Sequence, residues 1–179
     1  MKVKNWLLCS DIHGNEEVLS SLLKIAEEED CSKILCAGDL GLNRSYKMAD
    51  ILKFRNIPFV CVRGNCDSPW SFSDAGLPLP PLYVTLHLAS DKIDNPGFEV
   101  FMTHGHVYFN EEAEGADIII SGHTHVPVME KKGQVLYLNP GSAGSSRSYL
   151  PESYMILNSN FVKLCSVKNK TVLKKIKIT

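Results

Sequence analysis

The stretch WLLCSDIHGNEEVLSSLLKIA, residues 6–26, joins two periodicities through one polar turn. Residues 6–9 form a short, uninterrupted apolar run, which reads as a strand. Beyond Asn15, the residues Val18, Leu19, Leu22, Leu23 and Ala26 recur at three- and four-residue spacing, which predicts a helix with one apolar face. Asn15 suits the N-cap, and Glu16 and Glu17 suit a first turn where backbone N–H groups point outward. Strand, turn and helix make the opening of a β-α unit, with DIHGN at the carboxyl end of its strand.

The same grammar repeats outward from this unit. A second apolar run at 34–37 closes on Gly38 and Asp39, and a helix at 46–54 is expected to start at Ser45 and stop before Pro58. A third strand at 58–62 leads into RGNCD. This β-α-β-α-β order predicts a parallel sheet with crossover helices. From about residue 80 the chain changes to strand-like segments at 82–88, 98–103, 117–121, 127–131, 135–138, 153–157, 161–167 and 171–178, with one short helix expected at 110–114. A strand-rich second half predicts a second sheet packed on the first, an α/β layered sandwich. No repeat or linker interrupts the sequence, so residues 1–179 read as a single domain.

Composition bounds the function. With 179 residues, 44% of them hydrophobic, the chain can bury about 70% of its unfolded surface. Nineteen basic against 20 acidic side chains supply no overall basic field, which disfavours nonspecific binding to long nucleic acid. Nowhere do about 18 apolar residues run together, so no membrane-spanning helix is expected. The first apolar run is also too short for a secretory signal, and the six cysteines show no CxxC spacing. They read as small thiols of a reducing compartment, and the expected location is cytoplasmic.

The chemistry-bearing residues fall at the ends of the apolar runs. Asp11 and His13 follow the first, Asp39 the second and Asn65 the third, while His104 follows EVFMT and His123 with His125 follow DIIIS. In α/β sheets, sites form at the carboxyl ends of strands, so these donors are expected to converge in one pocket. Residues two apart in extended chain share a side, so Asp11 with His13, and His123 with His125, can each aim a pair of donors together. Gly14, Gly38, Gly64, Gly105 and Gly122 flank these positions and permit tight turns. Any one fragment is an ordinary strand-to-loop turn, whereas the conjunction predicts a metal site. His87, in YVTLHL, alternates with apolar neighbours and reads as the polar face of a strand.

DIHGN (11–15), AGDLG (37–41), RGNCD (63–67), THGH (103–106) and SGHTH (121–125), in this order, resemble the calcineurin-like metallophosphoesterase superfamily, and specifically its compact phosphodiesterase branch. That branch also has a divergent scaffold relative in the retromer coat. The resemblance implies a four-layer α/β/β/α sandwich of two packed mixed sheets flanked by helices. It also implies one divalent metal on Asp11, His13, Asp39 and His125, and a second on Asp39, Asn65, His104 and His123, so that Asp39 bridges the two. Mixed oxygen and nitrogen donors without thiolate suit Mn²⁺, Fe, Zn²⁺ or Ni²⁺. Mn²⁺ is expected, as the usual activator of similar enzymes.

Two such cations lower the pKa of a shared water towards about 7, and the resulting hydroxide would attack phosphorus in line with the departing alcohol. Arg63 is a candidate phosphate clamp through its planar donor fork, or else the ion-pair partner of Asp67. Many monoesterases resembling this pattern carry histidine where Cys66 stands, and a thiol is a poor general acid. This favours diester over monoester substrates, with His106 as the alternative proton donor. NPGSAG (139–144) resembles a loop near the metal centre and is assigned a supporting role. The expected function is hydrolysis of a small or nucleotide-derived phosphodiester, by a protein that can form a homodimer or homotetramer. The alternatives are a catalytically silent scaffold of the same fold and a nuclease on longer nucleic acid. The lysines at 168, 170, 174, 175 and 177 read as the solvent face of an edge strand and not as a nucleic-acid track.

Overall fold

The computed structural model describes residues 4–45, 47–90, 92 and 94–178. Strand β1 (Asn5–Cys9) is covered on both sides because its alternate residues enter different cores. Leu7 and Cys9 face one apolar cluster, while Trp6 and Leu8 face another. Strand β2 (Cys31–Cys36) divides the same way, Ile34 and Cys36 against Leu35. A period of two with both faces apolar explains why these segments read as continuous hydrophobic runs.

Helix α1 (Glu16–Glu28) follows β1, and Asn15 caps it by accepting from the Val18 N–H at 3.1 Å. Its buried stripe, Leu19, Leu22, Ile25 and Ala26, covers the outer face of the first sheet together with Met48 and Leu52 of α2 (Lys47–Lys53). The expected first residue of α2, Tyr46, lies outside the described residues. Strand β3 (Phe59–Cys61) completes the parallel portion, and α3 (Pro69–Asp74) follows it.

The second half supplies β4 (Tyr83–Ala89), β5 (Gly97–Thr103), β6 (Ile118–Ile120), β7 (Val128–Lys132), β8 (Val135–Asn139), β9 (Ser153–Leu157), β10 (Phe161–Ser166) and β11 (Val172–Lys177). Together with β1, β2 and β3 they form two mixed sheets. One is ordered β11-β10-β9-β1-β2-β3 and the other β4-β5-β6-β8-β7. Between the sheets lies the second apolar core, with Leu8, Leu35, Met155 and Leu157 from one side and Val100, Met102, Ile120 and Leu138 from the other. This is the α/β sandwich of two packed mixed sheets that the sequence predicts.

Two local expectations differ. Residues 110–114 form turns, closed by Glu114 N–H to Glu111 O at 3.1 Å, in place of a short helix. Residues 69–74, assigned no element from sequence, form α3 because Ser68 caps it through the Trp70 N–H and Pro69 occupies the first turn, where no N–H is needed. His87 sits on the exposed face of β4, paired with Glu99 at 2.7 Å. On β11 the lysines 174, 175 and 177 are exposed while Ile176 packs inward. None of the described helices is long and apolar enough to cross a membrane.

Candidate metal centre

The three parallel strands β1, β2 and β3 end side by side, and β5 and β6 bring their ends up from the facing sheet. The loops that follow them therefore meet. Asp11 N–H donates to Gly38 O at 3.0 Å, His13 N–H to Asp39 O at 3.0 Å, and Gly122 N–H to His104 O at 3.0 Å. Asp11, His13, Asp39, His123 and His125 all have positive φ, between 52° and 68°. This corrects the extended geometry expected for the Asp11/His13 and His123/His125 pairs. The side chains converge because the backbone turns left-handed at each of these positions, a conformation uncommon outside glycine.

The donor atoms meet in two overlapping groups. Around Asp11 Oδ1 lie His125 Nε2 at 3.2 Å and His13 Nε2 at 3.8 Å, with the two imidazole nitrogens 3.3 Å apart. Asp39 Oδ2 is 3.9 Å from His13 Nε2 and 3.5 Å from His104 Nε2. Asn65 Oδ1 lies 3.0 Å from His104 Nε2 and 2.9 Å from His123 Nδ1. Asp39 thus stands between the groups, with one oxygen facing both.

The surroundings leave these atoms free to bind. Asp11 accepts from the His123 N–H through Oδ2, and Asp39 accepts from the Cys66 N–H through Oδ1, so each carboxylate keeps its other oxygen for the centre. His104 Nδ1–H donates to Ala37 O and His125 Nδ1–H to Ser145 O, both at 2.7 Å, which leaves a lone pair on each Nε2. Asp11 Oδ1 is buried without a hydrogen-bond partner. Unpaired nitrogen and oxygen acceptors crowded this closely repel one another unless a cation stands among them, so the residues present fit a divalent metal.

Electrostatics follow the same division. Burial raises the Asp11 carboxyl above its usual range, with the Ser10 hydroxyl and the nearby imidazoles opposing it. Burial would raise Asp39 too, but the His104 ring beside it and the hydrogen bond from the Cys66 N–H outweigh it and hold the carboxyl well below the usual range.

The other sequence candidates lie at the rim. The His106 ring is 5.2 Å from that of His104 and 6.3 Å from that of His123, and burial lowers its pKa, helped by those two rings. Cys66 is exposed, takes an N–H from the Asn65 amide at 3.3 Å, and offers its sulfur within 4.8 Å of donor atoms on His13 and Asp39. Burial, then the Asp39 carboxylate, push this thiol up to about 11. Arg63 does not pair with Asp67. The Asp67 carboxylate instead accepts from Asp39 N–H at 2.9 Å, Gly64 N–H at 2.9 Å and Gly41 N–H at 3.2 Å. Among the described residues Arg63 forms no ion pair, and its charge lies near enough to His106 to lower that pKa.

Further residues support the centre, and of these the sequence singled out the NPGSAG loop and Gly64 but not Ser10. Ser10 Oγ donates to Ala37 O at 3.1 Å, and Ser142 Oγ donates to Asp11 O at 2.8 Å. Asn139 donates to Gly122 O at 2.7 Å, tying the NPGSAG loop to the turn that carries His123 and His125. Gly64 is required for space: a β-carbon there would stand 2.0 Å from Asp39 Oδ1 and 2.3 Å from Asp39 N. NPGSAG was the signal for Ser142 and Asn139, and the acid closing RGNCD the signal for Asp67, although its role as a backbone staple needs the fold to be seen.

The chain is similar to known phosphoesterases. The chain is 25% identical over 185 residues to phosphodiesterase YfcE of Escherichia coli K12, covering 96% of this chain and 97% of YfcE. It is 34% identical over 163 residues to the probable metallophosphoesterase YsnB of Bacillus subtilis 168, covering 86% and 83% of the two chains. The solved structure of E. coli YfcE superposes with a TM-score of 0.74 at 22% identity, covering 98% of this chain and all of that one. Vacuolar protein sorting 29 of Cryptosporidium parvum superposes at 0.67 with 23% identity, over 98% and 96% of the chains. Residues 5–160 match the model of the calcineurin-like phosphoesterase superfamily domain, and the chain belongs to that superfamily.

Proposed function

We propose that the protein is a metal-dependent phosphodiesterase acting on a small or nucleotide-derived diester. The observation that carries this reading is the pairing of Asp11 and Asp39: each has one oxygen tied to a backbone N–H and the other turned to a shared point among imidazoles. Asp11, His13, Asp39 and His125 would hold one divalent cation, and Asp39, Asn65, His104 and His123 a second, with Mn²⁺ the cation we propose. Such a pair supplies hydroxide at neutral pH and neutralises charge on the phosphoryl oxygens.

The chain's own residues do the remaining work. Ala37 O and Ser145 O orient the His104 and His125 rings, and Asp67 holds the Asp39 backbone in place. Arg63, with no carboxylate partner among the described residues, is available to grip a phosphate oxygen with its planar fork. His106 lies beside the centre without being part of it, and its depressed pKa leaves the ring neutral near pH 7. As a neutral base it would take the proton that the attacking water gives up and hand it to the leaving alkoxide, a relay closed to Cys66, whose thiol keeps its own proton up to about 11. A site without a strong acid in the Cys66 position favours diesters, whose alkoxide leaves from a less charged phosphorus. A silent scaffold has no physical use for five left-handed residues and an unpaired buried carboxylate oxygen, which favours the enzymatic reading.

The test strips the protein with chelator, restores Mn²⁺, Ni²⁺, Zn²⁺ or Mg²⁺ singly, and assays aryl diesters beside monoesters. Diester turnover exceeding monoester turnover, and abolished by Asp39→Ala, is expected. A dominant monoesterase would refute the argument from Cys66, and equal rates in wild type and variant would refute the bridging role.

A further inference from the structure

A short way along the chain from the candidate ligands Asp39 and Asn65, the 3-10 turn Leu42–Arg44 and helix α3 enclose a cleft of about 220 Å³. Leu42, Asn43, Ser68, Trp70, Ser71 and Asp74 line it. The chain has two tryptophans. Trp6 is 4% exposed in the core, whereas Trp70 is 79% exposed. An indole presented to water is an unusual surface, because its large apolar faces normally find cover. The backbone beneath it is fixed: Ser68 Oγ accepts from the Trp70 N–H, and Ser71 Oγ donates to Ser68 O at 2.7 Å. Among the described residues the Asn43 amide and the Asp74 carboxylate form no hydrogen bond or ion pair, so the cleft offers one aromatic face with donors and acceptors at its edge.

Its position ties it to the centre. Leu42 is three residues beyond Asp39, and Ser68 three beyond Asn65, so each wall starts within about 11 Å of a candidate ligand. Asp67 binds the two walls to each other, accepting from the Asp39 and Gly41 N–H groups immediately before Ser68 begins the second wall. Arg44 ends the first wall with its Cβ against the Gly14 backbone, next to His13. It forms no ion pair among the described residues, and its cation lies close to His13 and Cys66. A cleft of this size is below the range that encloses a whole drug-sized ligand and suits one ring system of a molecule anchored elsewhere.

We propose that the cleft is a subsite for the nucleobase of a nucleoside phosphodiester, stacked on Trp70 with Asn43 and Asp74 at its polar edge and Arg44 between it and the phosphate. The inference rests on the phosphodiesterase reading, and it makes Trp70 a specificity-determining residue.

Tryptophan emission reads the subsite directly, because Trp70 is the exposed fluorophore and Trp6 the buried reference. Adenosine and guanosine 5′-monophosphates are expected to quench wild-type emission at concentrations where ribose 5-phosphate does not, and Trp70→Phe to abolish the response. In turnover, Trp70→Ala is expected to lower kcat/KM for a nucleoside 5′-(4-nitrophenyl) phosphate by about 5- to 100-fold relative to methyl 4-nitrophenyl phosphate, the worth of one base stacked on an aromatic ring. The loss should fall mainly in KM, and Trp70→Phe should recover most of it. Equal quenching by nucleotide and ribose phosphate, or an unchanged ratio of the two esters in Trp70→Ala, would overturn the subsite. Failure of the wild type to hydrolyse either ester with any divalent cation would instead overturn the phosphodiesterase reading, and the emission titration would still decide the subsite.

Discussion

Replacing Asp67 tests how the centre is held together without touching a candidate ligand. The carboxylate is buried and accepts from three backbone N–H groups, those of Asp39, Gly64 and Gly41, at 2.9, 2.9 and 3.2 Å. Asp67→Ala orphans all three, and a buried unsatisfied donor costs about 1–3 kcal/mol. Two effects pull the total toward the low end. Water enters the space left by the carboxylate, and the substitution relieves the burial that pushes this carboxyl above its usual pKa despite the Gly64 and Gly41 N–H groups. The expected loss is about 3–4 kcal/mol for alanine, which lowers Tm by roughly 6–16 °C in a chain of this size. Asp67→Asn keeps one acceptor oxygen in the place of Oδ2 and turns an N–H toward Gly41, so about 1–2 kcal/mol is expected. Urea unfolding in chelator, followed by two probes, measures both without interference from bound metal. Because Asp67 orients the Asp39 backbone, calorimetric affinity for Mn²⁺ should also fall about 10- to 100-fold in the alanine variant. An alanine variant within about 0.5 kcal/mol of wild type would refute the staple, as would an asparagine variant less stable than the alanine one.

Cation binding should register as stability. Mn²⁺ at 100 times its Kd is expected to raise the unfolding free energy by about 2.7 kcal/mol per site, seen as a thermal shift that His125→Ala diminishes, and no shift with any of four divalent ions would remove the metal from the mechanism. By contrast Leu22→Ala, which empties a fully buried position on α1, is expected to lose about 2–5 kcal/mol in urea while calorimetry finds the Mn²⁺ affinity unchanged, since α1 supplies core and no donor.

The parallel half of the fold was legible because its signals were local. Asn15 caps α1 at the expected place, and Leu7 to Cys9 are apolar on both faces because two cores, one per face, demand it. Helix α3 was missed although Ser68-Pro69 is a helix start, because the helix is only six residues long and no apolar periodicity can develop over so short a span. The convergence of Asp11, Asp39, Asn65, His104, His123 and His125 was legible from their places at strand ends. The reason for it was not: the expected extended pairs are left-handed turns, and φ is set by loop-to-loop bonds such as Asp11 N–H to Gly38 O that depend on the register between strands. The same dependence hid Asp67, whose three partners come from the loop after β2 and from its own turn after β3.

Those left-handed turns bear on why the centre exists at all. A non-glycine residue held there costs about 1–2 kcal/mol, so five together forgo something on the order of the whole net stability of a domain. The bonds that impose the strain are specific. Asp11 and His13 are drawn to Gly38 and Asp39, the His123 N–H is drawn to the Asp11 carboxylate, and the His125 ring is drawn to Ser145 O. Each bond also aims a donor atom at one of the two clusters, and at Asp11 the aimed oxygen is left with no hydrogen-bond partner. Backbone strain and an uncompensated carboxylate at the same positions point to a state whose energy is recovered only when a cation enters. The centre is therefore preorganised: the fold itself assembles the donors, so that binding a cation has no loop to order.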